Sequence, residues 1–68
     1  MRVELNGRTV EVADGATVAE LVEQAGAGPD GRGVAVALDG EVVPRSAWDD
    51  TRVAAGQSVE VLQAVQGG

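Results

Sequence analysis

The apolar residues of this chain are nearly all Val and Ala, with four Leu, one Met and one Trp and no Ile, Phe or Tyr. Branching at Cβ suits the pleated surface of a strand better than a helical turn, so this inventory points to a sheet. The spacing agrees. Val3 and Leu5 alternate with Arg2, Glu4 and Asn6, and Val10 and Val12 alternate with Thr9 and Glu11. Between the two runs stands Asn6-Gly7, the dipeptide that best tolerates positive φ in a tight turn, which predicts an antiparallel hairpin with one buried face.

After a second turn at Asp14-Gly15 the period changes. Thr17 stands three residues before Glu20, a capping-box pattern, and Val18, Leu21, Val22 and Ala25 follow at helical spacing. One short amphipathic helix is expected there, stopped by Gly26. Gly26 to Gly33 reads as a loop. It contains a literal dinucleotide-type glycine pattern, Gly26-Ala27-Gly28-Pro29-Asp30-Gly31, but that pattern acts only after a strand and before a helix, and here the order is reversed. Val34 to Leu38 is an almost wholly apolar strand, expected to be buried or nearly so. Asp39-Gly40 turns it into Glu41-Val42-Val43, and Pro44, lacking an N–H, ends the pairing. Arg45 to Trp48 is expected to form a helical turn, with Trp48 covering one end of the core. The chain then turns at Ala54 to Gln57, and Ser58 to Gln63 forms the last strand, with Val59 and Val61 facing inward.

Two hairpin-like units, one helix and a final strand make an α+β domain in which one sheet packs on one helix. The 68 residues allow a single small domain, whose core leaves roughly 3–5 kcal/mol of net stability. No cysteine or histidine is present, so disulfides, thiolate zinc sites, His-based acid–base catalysis and catalytic triads are excluded. No enzyme activity of its own is expected. The formal net charge of −6 argues against nucleic acid, which needs a basic face. No apolar run is long enough for a membrane span or a signal peptide, so no membrane partner is expected and the cytosol is the default compartment.

The chain ends in Gly67-Gly68. Two residues without Cβ can enter a narrow slot and adopt backbone angles closed to others, as a terminal carboxylate that is itself a substrate requires. Such an end contributes little to a fold and is expected to be flexible when free.

With these features in place the chain resembles a known family, the bacterial sulfur carriers of thiamin biosynthesis (ThiS), which have the ubiquitin-like β-grasp fold. The resemblance is carried by Val34 to Trp48 with its Val43-Pro44-Arg45-Ser46-Ala47-Trp48 block, by Gly56 to Val61, and by the tail Ala64-Val65-Gln66-Gly67-Gly68. It implies a mixed four- to five-stranded sheet on one helix, a folded domain over residues 1–63 and a flexible tail over 64–68. It also implies that an E1-like adenylating enzyme uses Mg-ATP to activate the Gly68 carboxylate. A sulfur donor such as a cysteine desulfurase then converts it to a thiocarboxylate, and thiazole synthase accepts the sulfur. The carrier itself would need no metal and no cofactor.

Ala64, Val65, Gln66 and Gly67 are the expected partner-binding residues beside Gly68. Leu62 joins them, because strand parity turns it away from Val59 and Val61; it could instead cover a sheet edge. Arg45 and Arg52 read as solvated, with ion pairs to a partner as the other reading, and Asp49-Asp50 as a solvated turn. Two other functions fit a Gly-Gly end: a modifier joined to a lysine of another protein, or a β-grasp interaction module in which the doublet is incidental. A molybdopterin-type carrier is a further alternative.

Overall fold

Asn6 and Gly7 both sit at positive φ, 51° and 81°, and they join strands β1 (Arg2–Leu5) and β2 (Arg8–Glu11) into the expected antiparallel hairpin. The structure, a computed structural model, describes residues 1–27 and 32–64. Gly28 to Gly31 and Val65, Gln66, Gly67 and Gly68, on which sequence expectations also fall, lie outside the described residues.

Helix α1 spans Val18–Gln24. The Thr17 side chain accepts the Glu20 N–H at its start, satisfying one of the first-turn donors that the helix leaves open. At its end Gly26 adopts φ 83°, and the N–H groups of Gly26 and Ala27 bond the carbonyls of Glu23 and Val22, a Schellman closure. Ala25, expected on the apolar face, is exposed and caps the helix instead, because the turn closes there.

Strand β3 (Val34–Leu38) turns through Asp39 (φ 49°) and Gly40 (φ 84°) into β4 (Glu41–Val43), and a single 3-10 turn covers Arg45–Ala47. Strand β5 (Ser58–Gln63) lies in the middle of the sheet, whose order is β2-β1-β5-β3-β4. It pairs parallel to β1 and antiparallel to β3, so the sheet is mixed and has five strands.

Val18, Leu21 and Val22 of the helix bury against Val3, Leu5, Val36, Val59 and Val61 of the sheet, with Ala16, Trp48 and Val53 closing the ends. Trp48 is buried and donates its indole N–H to the Val43 carbonyl at 2.9 Å, which ties the 3-10 turn to β4. The helix covers only one face. Strand β3 is therefore not buried throughout, as its apolar run led one to expect: Val36 is buried, whereas Ala35 faces out and is exposed. No helix among the described residues is long and apolar enough to cross a membrane.

Candidate functional site

Strand alternation sends Ser58, Glu60 and Leu62 of β5 to the face opposite the helix, because Val59 and Val61 are buried. The register places Ala35 across from Leu62, and Ala37 between Glu60 and Val42. Leu62 is 68% exposed and Val42 74%, the two exposed large hydrophobics among the described residues. Together with Ala35 they put apolar side chains on the β5-β3-β4 side of the open face, where Glu60 also stands. The β1-β2 side of the same face is charged: Arg2 donates to Glu11 at 2.9 Å, with Glu4 beside them.

Strand β5 is held at both ends. At its start Asp39 accepts the Ser58 N–H at 2.9 Å with one carboxylate oxygen and the Gln57 side-chain amide at 3.0 Å with the other. Gln57 is itself oriented by accepting the Ala54 N–H at 2.7 Å. The Ser58 backbone hydrogen bond, and then the Gln57 amide, hold the Asp39 carboxyl below its ordinary pKa. Near its far end the Asn6 side chain pairs with the backbone of Val61. Beyond Gln63, Ala64 donates its N–H to the Gly33 carbonyl at 2.6 Å. Ala64 is exposed.

Of the expected site residues, the structure thus places Leu62 and Ala64 on and beside one exposed face, at the end of β5 that leads to the tail. Val65, Gln66, Gly67 and Gly68 lie outside the described residues. Arg45, Asp49 and Asp50 are exposed, and among the described residues no cluster of acids could hold a metal ion. Arg52, read as a solvated arginine, bonds the Gly15 carbonyl at 3.3 Å while remaining exposed. Val42 did not figure in the sequence reading of the face. Its signal was available: in a three-residue strand two neighbouring valines point to opposite sides, and Val43 lies across from the buried Val36. An open cavity of about 270 Å³ lies elsewhere, between the first hairpin and the end of α1, lined by Leu5, Asn6, Arg8, Val10, Gln24 and Ala25.

The comparisons with known proteins converge. The sequence profile of the ThiS family matches residues 3–68. The sulfur carrier protein ThiS of Escherichia coli K12 is 34% identical over 70 residues, covering 100% of both chains. A crystal structure of the thiamine biosynthesis protein ThiS from Geobacter metallireducens superposes with a TM-score of 0.79 at 36% identity, again over 100% of both chains. A solution structure of a thiamine biosynthesis protein from the same organism gives 0.81 at 37% identity, over 100% of this chain and 88% of the other. The chain has the β-grasp fold and belongs to the ThiS family, the sulfur carriers of thiamin biosynthesis.

Proposed function

We propose that this carrier works through the α-carboxylate of Gly68, which a partner activates and which then bears the sulfur used to build the thiazole ring. The single observation that carries the reading is the family match, which runs through the Gly67-Gly68 doublet to residue 68. A carboxylate is a poor electrophile with a poor leaving group. An E1-like partner holding Mg-ATP corrects both: the carboxylate oxygen attacks the α-phosphorus, pyrophosphate leaves, and an acyl-adenylate forms. The terminal sulfur of a cysteine persulfide, supplied by a donor such as a cysteine desulfurase, then attacks the acyl carbon and displaces AMP to give an acyl disulfide. A second thiol cleaves the S–S bond, leaving the thiocarboxylate and a disulfide between the two thiols. One oxygen of the carboxylate has been exchanged for sulfur, and thiazole synthase is the acceptor.

In this scheme the carrier supplies no acid, base, metal ligand or cofactor of its own. It presents one group at the end of Ala64 to Gly68, a segment that reaches at most about 16–18 Å. Threading that segment into a partner costs roughly 1–2 kcal/mol per residue in backbone entropy, so the affinity has to come from the folded body. Leu62 and Val42 on the open face are the residues best placed to supply it. In this reading the carrier works in the cytosol, where it meets the activating enzyme, ATP and the sulfur donor.

The test is mass spectrometry of the full chain after incubation with its activating enzyme, Mg-ATP and a sulfide source. Exchange of one oxygen for sulfur at Gly68 is the expected result. An isopeptide to a lysine of another protein would make the chain a modifier, and no change at all would leave an interaction module.

A further inference from the structure

Glu60 stands within the apolar side of the open face. The register sets Val42, Ala37 and Glu60 in one row across β4, β3 and β5, with Ala35 and Leu62 in the next. Glu60 and Leu62 are both exposed and lie two residues apart on the same side of β5, about 6.5–7 Å along the strand. A surface that covers Leu62, Ala37 and Val42 together closes over Glu60, which adjoins Leu62 along β5 and Ala37 across it. Water is then taken from the carboxylate as well as from the apolar side chains. A carboxylate that loses its water and gains no partner costs more than the contact of one leucine contributes.

None of the ion pairs among the described residues includes Glu60. Of the strand arginines, Arg2 is engaged by Glu11 at 2.9 Å, and Arg8 lies across from the buried Leu5, on the helix side of the sheet. Glu4, across from Thr9 and Ser58, adds a further acid to the open face. A second copy of the chain brings the same strand arginines in the same engagements, so its open face meets Glu60 with apolar surface or with another acid. A partner with an arginine or lysine beside an apolar patch meets it with a charge-assisted hydrogen bond.

We infer that Glu60 is the specificity-determining residue of the open face: it selects an activating enzyme whose apolar contact surface carries an arginine or lysine, and it disfavours a second copy of the carrier. The inference rests on the reading that the open face docks on that enzyme, and adds what the opposing surface must contain.

The experiment titrates the activating enzyme with wild type, Glu60→Gln, Glu60→Arg, Glu23→Gln and Leu62→Ala at low and high sodium chloride. Sedimentation of the free carriers follows self-association. Glu60→Gln keeps the shape of the side chain and removes its charge. Glu23 is an exposed acid on α1, on the other side of the sheet, so Glu23→Gln makes the same change in net charge away from the face. Glu60→Gln should weaken the complex about 5- to 30-fold at low salt and flatten its salt dependence. Glu60→Arg should weaken it further, because two cations then oppose each other. Glu23→Gln should stay within about twofold of wild type. Because Glu60 is exposed, the melting temperatures of its variants should stay within about 4 °C of wild type. Wild type should sediment as a monomer.

Unchanged affinity in Glu60→Gln, or an equal loss in Glu23→Gln, overturns the role of Glu60 while Leu62→Ala still weakens the complex. If wild type does not bind the enzyme, or Leu62→Ala binds as tightly as wild type, the docking reading fails and the inference with it. A wild type that dimerises, with Leu62→Ala monomeric, makes a second copy the occupant and overturns the selection.

Discussion

The side-chain amide of Asn6 clamps the backbone of Val61, accepting its N–H at 2.8 Å and donating to its carbonyl at 3.2 Å, across 55 residues of sequence. One residue therefore serves two purposes. Its positive φ makes the β1–β2 turn, and its side chain locks that turn to the central strand.

These two roles separate by mutation. Asn6→Gly keeps the turn conformation and removes both hydrogen bonds, which should cost about 1–3 kcal/mol. Asn6→Ala loses the same bonds and adds about 1–2 kcal/mol for an alanine at positive φ. Urea denaturation of the two variants measures the difference; equal stabilities would mean that the turn angle carries no cost.

Trp48 is the one large aromatic side chain in a core built of Val, Leu and Ala. Truncation to Ala removes about 3–5 kcal/mol, as much as a domain of this size has in total. Trp48→Ala should be largely unfolded by circular dichroism. Trp48→Phe keeps most of the volume but leaves the Val43 carbonyl without its indole donor, for a loss of about 0.5–1.5 kcal/mol from the hydrogen bond.

Asp39 gives stability a dependence on pH. Its folded pKa lies below the unfolded value near 3.8, because the charged form accepts from the Ser58 backbone and the Gln57 side chain. The contribution is therefore complete above pH 3.8 and is lost as pH falls through the lower folded value. Asp39→Asn preserves a residue type that tolerates φ 49° but turns an acceptor toward Gln57 into a donor. The variant should melt below wild type at pH 7, and the gap should close in acid. A gap of constant size from pH 7 to pH 2 would show that the charge is irrelevant.

Leu62 and Val42 separate binding from stability. Both are exposed, so Leu62→Glu and Val42→Glu should change stability by no more than about 0.5 kcal/mol. If the open face docks on the activating enzyme, each should weaken that complex at least about fivefold, the effect of losing 1 kcal/mol. Calorimetric titration and thermal melts of the same samples rank the two effects. Greater damage to the melt than to the affinity would assign Leu62 to the fold.

The local signals in this chain read directly. Asn6-Gly7 and Asp39-Gly40 specify their turns through backbone angles, Thr17 caps through a neighbour three residues away, and Gly26 ends the helix. Strand parity likewise separates Val59 and Val61 from Leu62. What the spacing conceals is everything that depends on a partner far along the chain. Asn6 carries no mark of its bond to Val61, nor Asp39 of its bond to Ser58. The apolar run at Val34 to Leu38 misleads for the same reason. Two alanines alternating with larger residues resemble a strand buried on both faces, and only the single helix shows that one face is left open.

Because β5 lies between β1 and β3, the last strand of the sheet in chain order is the one around which the others close. Leu5 meets Val59 only after every other strand of the sheet has been made. A nascent or truncated copy lacking β5 has a vacant centre rather than a frayed margin, and cannot assemble a partial body. The strand that leads to Gly67-Gly68 is thus also the keystone of the molecule, and seating it closes the whole sheet.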